Sequence, residues 1–98
     1  MIKISDVQIY LMNEEKLKAY ANITLGDCFL IRDLKVIKGH TGLFVAMPAK
    51  KRKDGIFRDV AHPINQEMRD ELEKTVLEAY EKAQSENPAQ EDLNSESA

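Results

Sequence analysis

The first half of the chain alternates apolar and polar positions with a period of two, the spacing of strands that bury one face and wet the other. Leu17, Ala19, Ala21, Ile23 and Leu25 share one side while Lys18, Tyr20, Asn22 and Thr24 take the other, which predicts the clearest strand in the chain. Ahead of it Ile2 and Ile4 keep one phase and Val7, Ile9 and Leu11 the opposite one, so the first strand is expected to change face through a bulge near Ser5–Asp6. Asn13-Glu14-Glu15-Lys16 is the turn between them. Gly26-Asp27 offers a two-residue, glycine-first hairpin loop. It leads into Cys28-Phe29-Leu30-Ile31 and, past Arg32-Asp33, Leu34-Lys35-Val36-Ile37. This third strand is long and starts apolar on both faces, as if one side packs on a helix and the other on a further surface such as a second subunit. Gly39-His40-Thr41-Gly42 breaks the chain before a short strand, Leu43 to Met47, which Pro48 ends because it cannot donate to a ladder.

Beyond Pro48 the pattern changes. Lys50-Lys51-Arg52-Lys53 are consecutive cations ahead of an Asp54-Gly55 turn signal, and that charge density requires an exposed loop. Ile56 to Ala61 is expected to run extended to His62-Pro63, where proline biases the preceding residue away from helix. Asn65 is then a good N-cap, and Met68, Leu72, Val76, Ala79, Tyr80 and Ala83 recur at helical spacing, predicting one amphipathic helix over a sheet face. Its outer side carries Asp70, Glu71, Lys74, Glu78 and Glu81, with Asp70–Lys74 and Glu78–Lys82 as favourable one-turn pairs. The expected fold is α+β: a bent antiparallel meander of four or more strands with one C-terminal helix packed on it.

Ninety-eight residues with 43% hydrophobic and 32% charged side chains suit one small folded domain over 1–84 and an acidic, flexible tail over 85–98, where Leu93 is the only large apolar residue. A core this thin makes a homo-oligomer a natural way to bury more area. No apolar run approaches the ~18–20 residues that cross a bilayer, and residues 1–10 lack a basic segment followed by an apolar one, so a cytoplasmic protein with no membrane role is expected. Cys28 is the only cysteine and His40 and His62 the only histidines, so no disulfide, metal-ligand spacing or cofactor is expected. No motif joins Cys28 or His62 to a catalytic partner, and Cys28 reads as a small buried hydrophobe in a strand, while His62 reads as a backbone cap at a corner. Gly39 and Gly42 serve a turn, since no phosphate-loop lysine follows. Neither catalysis nor a small-molecule substrate is expected.

Charge carries the functional signal. Residues 1–62 hold eleven Lys+Arg against seven Asp+Glu, and residues 63–98 hold three against ten, so a net +4 segment precedes a net −7 one. Lys50, Lys51, Arg52 and Lys53 fit phosphate contact by counterion release, and Arg58 and Arg69 either extend the patch or pair with Asp59 and Asp70. A solvated loop tip is the other account of the run. No aromatic-rich strand face stands out, so backbone contact is expected to dominate over base stacking.

The stretch Gly42-Leu43-Phe44-Val45-Ala46-Met47-Pro48, the basic run, Asp54-Gly55, Phe57-Arg58-Asp59 and Ala61-His62-Pro63-Ile64-Asn65 with Arg69 resembles the septation regulator SpoVG (stage V sporulation protein G) family. Asp6-Val7, Lys18-Ala19, Ile23-Thr24-Leu25, Asp33 to Ile37 and Gly39 fit the same pattern, which covers nearly all of the chain before the tail. The resemblance implies a strand-mediated homodimer that affects septation, sporulation and gene expression and binds DNA and RNA. It implies that Lys50 and Lys51 are the family's basic pair, extended by Arg52 and Lys53, and that the helix with Arg69 and Lys74 helps choose sites. Lys51 stands where the family usually has Arg, which keeps the charge but removes a planar fork suited to bidentate contacts. An interaction module of cell division without specific nucleic-acid binding is the alternative.

Overall fold

A computed structural model of the chain describes residues 2–86. Its strands are β1 Ile4–Leu11, β2 Leu17–Leu25, β3 Phe29–Gly39, β4 Gly42–Ala46, β5 Ala49–Lys51 and β6 Phe57–Asp59, followed by the helix α1 Gln66–Glu86. β1 to β4 form an antiparallel sheet in sequence order, and β5 and β6 form a separate two-stranded sheet. This is the expected α+β meander with its C-terminal helix; residues 87–98 of the expected tail lie outside the described residues.

Alternation decides which face the helix covers. Ala19, Ala21 and Ile23 of β2, Leu34 and Val36 of β3, Val45 of β4 and Leu72, Val76 and Tyr80 of α1 are buried together, with Val7, Ile9 and Leu11 of β1 packed against them. Ala19, Ala21, Ile23 and Leu34 are all fully buried, the small alanines and the larger Ile23 and Leu34 together filling the space between sheet and helix. No helix among the described residues is long and apolar enough to cross a membrane.

Three register shifts shape the sheet. The first is the expected bulge: Ile4 pairs with Leu25 and Asp6 with Thr24, leaving Ser5 as the extra residue. The Ser5 hydroxyl donates to the Thr24 carbonyl at 3.3 Å and accepts from the Asp27 N–H at 2.9 Å, which ties the bulge to the next turn. The other two fall within the pairing of β2 with β3, one near Lys18 and one between Ala21 and Ile23, opposite Arg32-Asp33. There Asp33 takes φ +67°, a conformation that Asp tolerates better than most side chains, and its N–H donates to Asn22 Oδ1 at 3.2 Å. Arg32-Asp33 is therefore a bulge inside one continuous strand.

The β2–β3 turn differs from the expected glycine-first, two-residue loop. Gly26 and Asp27 both have positive φ, +53° and +57°, and three residues separate the paired Leu25 and Phe29. Two left-handed residues match the strand twist, and the Cys28 N–H donates to the Leu25 carbonyl at 3.0 Å to close the turn. Cys28 is consequently an exposed turn residue with a free thiol, where the alternation alone placed it buried in the strand.

Asn65 caps the helix as expected: its Oδ1 accepts from the Met68 N–H at 2.7 Å, satisfying one of the orphan donors of the first turn. Replacing Asn65 with Ala should cost about 1 kcal/mol and lower Tm by roughly 4–8 °C in calorimetry. A Tm unchanged within 1 °C (about the error of the method) would mean the cap contributes nothing. Neither expected one-turn ion pair forms: the Gln66 amide donates to Asp70 at 2.8 Å, and Lys82 meets Glu86 at 4.0 Å. Such exposed pairs are nearly isoenergetic, so the helix does not depend on which one forms.

Candidate functional site

The basic run is half strand and half turn, where the sequence alone reads a loop. Lys50 and Lys51 lie in β5, and Arg52 and Lys53 begin the turn that returns the chain into β6. Turn chemistry is the reason: Gly55 takes φ +86°, which side chains rarely adopt, and Asp54 Oδ1 accepts from the Ile56 N–H at 3.0 Å. The Arg52 N–H donates to the Ile56 carbonyl at 2.9 Å and the Gly55 N–H to the Arg52 carbonyl at 3.0 Å, closing the tip. At the base the Val60 N–H donates to the Pro48 carbonyl at 2.7 Å.

Register sets the electrostatics of this arm. Ala49 pairs with Asp59, Lys50 with Arg58 and Lys51 with Phe57. Directly opposed residues share a face, so Lys50 and Arg58 present two cations side by side, an arrangement that disfavours the hairpin by itself. Every residue of β5 and β6 is exposed, so no core offsets the repulsion. Among the described residues the one ion pair is Lys82–Glu86, so none of the arm's cations is neutralised by a carboxylate. Lys50, Lys51, Arg52, Lys53 and Arg58 line one concave surface with Asp54, Asp59 and Val60. An anion lying there would turn a repulsive pair into a favourable site.

The other two expected cations stand apart from the arm. Arg69 lies in the first turn of α1 and Lys74 further along, and neither lines the concave surface. Lys74 has Asp70, Glu71 and Glu78 within one helical turn, so its local field is acidic. Cys28 and His62 sit on different elements, and His62 Nδ1 is 3.0 Å from the Pro63 carbonyl, the backbone role expected at that corner.

Two features escape the reading by periodicity. Ile56 and Phe57 of the arm, and Val60 and Ile64 of the segment that joins it to the helix, leave large apolar side chains in water, Ile64 at 90% exposure. The face of the main sheet away from α1 also carries Tyr10 and Tyr20 as directly opposed partners. Both tyrosines occupy the polar phase of their strands, so the signal was present, but only the register brings them together.

The SpoVG family model matches residues 2–82. The chain is 59% identical over 81 residues to a protein of Anaeromyxobacter sp. (strain Fw109-5) named "Putative septation protein SpoVG", covering 83% of this chain and 84% of that one. It is 60% identical over 81 residues to the protein of the same name in Bdellovibrio bacteriovorus, covering 83% and 75% of the two chains. Against the Lachnospira eligens protein of that name the identity is 51% over 84 residues, covering 85% and 96%.

Proposed function

The chain belongs to the SpoVG family, and from that premise we propose that it is a septation- and sporulation-related regulator that binds DNA and RNA as a homodimer. The observation that carries the nucleic-acid reading is the pairing of Lys50 with Arg58 in an exposed arm whose cations have no carboxylate partner among the described residues. The phosphate backbone of a nucleic acid is the partner that favours this arrangement, because each neutralised phosphate releases condensed counterions. Arg69 and Lys74 contribute less in this reading, given the acidic surroundings of the helix. The carboxylates along α1, Glu67, Asp70, Glu71, Glu73, Glu78 and Glu81, repel a polyanion and so favour contact at the arm over contact at the helix.

Two copies present two arms, so eight cations of the run act with the second contact intramolecular. If four to eight phosphates are neutralised, duplex affinity falls by ~10²- to ~10⁴-fold between 50 and 200 mM salt, read by fluorescence anisotropy of labelled DNA. A salt-independent affinity, or no binding at 50 mM salt, would remove the phosphate reading. The dimer is supported by the uncovered Ile56, Phe57, Val60 and Ile64, which a lone chain leaves in water. Sedimentation equilibrium should return twice the 11.2 kDa mass of one chain, and the mass of a single chain at micromolar concentration would exclude it.

A further inference from the structure

The open face of the main sheet has the composition of a stacking surface. Across it runs a row of directly opposed residues, Tyr10 of β1, Tyr20 of β2, Lys35 of β3 and Ala46 of β4. Their strand neighbours Ala19, Ala21, Leu34 and Val36 are fully buried under the helix, so this row points away from it. Tyr10 is 54% exposed, and its hydroxyl donates to Gln8 Oε1 at 3.3 Å along the same face. Phe44 also lies on this face, and its ring covers Gly39, where a Cβ would stand only 3.1 Å from the ring. Three aromatic rings and a lysine thus occupy a surface that the fold leaves uncovered.

The surface leads to the basic arm. Tyr20, Lys35, Leu30 and Arg32 line one wall of a groove of about 790 Å³, and Ala49 and Val60 at the base of the arm line another. Lys35 and Arg32 outweigh Asp33, the one carboxylate in that lining. A chain with a phosphate backbone and flat, apolar bases satisfies both parts together, with phosphates on Lys50, Arg58 and Lys35 and bases on the tyrosine rings. Adjacent strands are ~4.8 Å apart, so Tyr10 and Tyr20 can take successive unstacked bases. A duplex offers no such bases, because their faces are already stacked within the helix.

We propose that the Tyr10–Tyr20–Lys35 row is a base-stacking platform that, with the basic arm, makes this protein a binder of single-stranded nucleic acid in preference to duplex. The proposal rests on the nucleic-acid reading of the arm and deepens it by naming the class of strand. Stacking then adds to the backbone contacts expected from the sequence.

The test is anisotropy at 100 mM salt with a labelled oligo(dT), an oligo(U) of equal length and a duplex of that length. The wild type should bind both single strands more tightly than the duplex. Tyr10→Leu with Tyr20→Leu should weaken single-strand binding by roughly tenfold per ring while duplex affinity stays within about twofold. The Tyr10→Phe and Tyr20→Phe double variant, which keeps both rings, should bind single strands within about twofold of wild type. The chain has no Trp and Tyr80 is buried in the core, so quenching of tyrosine emission on adding oligo(dT) reports Tyr10 and Tyr20 directly. Single-strand binding that the Leu variant retains, with loss confined to variants of the arm, overturns the platform and leaves the arm standing. A Leu variant that sediments at half the wild-type mass identifies the face as a contact between copies and overturns it as well. Absence of binding to all three probes at low salt overturns the platform together with the reading of the arm.

Discussion

Replacing Lys50, Lys51 and Arg52 together with Ala is expected to lower affinity for nucleic acid by about 100-fold for each engaged arm at 50 mM salt, at roughly 1 kcal/mol for each lost phosphate contact. The slope of log affinity against log salt falls by about three for each engaged arm, because each contact contributes ~0.9 to it for duplex DNA. The fold survives the change. All three side chains are in the arm, which the core does not touch, and removing Lys50 takes away the like-charged partner opposite Arg58. Anisotropy with a labelled duplex, paired with circular dichroism of the variant, measures both halves of the expectation. Unchanged affinity in a folded variant would assign the cations to solvation and return attention to the exposed apolar segment Ile56 to Ile64 as the working surface.

Ile23→Ala has the largest expected effect on stability. Ile23 is a fully buried member of the core, between Val7 of β1 and Ile31 of β3 in the sheet register. Deleting its distal carbons removes transfer free energy and opens a void that flanking strands cannot close, costing about 3 kcal/mol. In a domain of this size that is a fall in Tm of roughly 12–24 °C, measured at fixed protomer concentration so that association does not confound it. A loss below about 1 kcal/mol in urea titration would contradict the packing assigned to Ile23. Such destabilisation lowers nucleic-acid binding only through the folded fraction, whereas the arm variant lowers it with the fold intact, so the two results separate structure from contact.

Local chemistry made most of the architecture legible. Period-two alternation from Leu17 to Leu25 is a backbone consequence of the pleat, so it marks both strand and buried face without knowledge of neighbours. The phase change after Ile4 has one covalent solution, an extra residue, and Ser5 is it. Asn65 needs only its own carboxamide and the first-turn N–H groups, so the helix start was equally readable. Cys28 belongs to the turn although its neighbours place it in the strand, because side-chain type does not distinguish one extra turn residue from the first residue of an apolar strand. The bulge at Arg32-Asp33 was hidden for a similar reason: the left-handed Asp33 depends on Asn22 of the neighbouring strand, 11 residues away.

The candidate site divides along the same line. Amino-acid order alone establishes a cluster of cations at 50–53 that must be solvated, a meander closed by an amphipathic helix, and a basic first part set against an acidic second one. These follow from burial energies and backbone periodicity, which act over a few residues. Pairing of Lys50 with Arg58, the opposition of Tyr10 and Tyr20, and the groove that joins their sheet face to the arm were decided by the tertiary structure. Each depends on register between strands, and register is set by turns and bulges acting at a distance, where a shift of one residue sends every side chain to the other face.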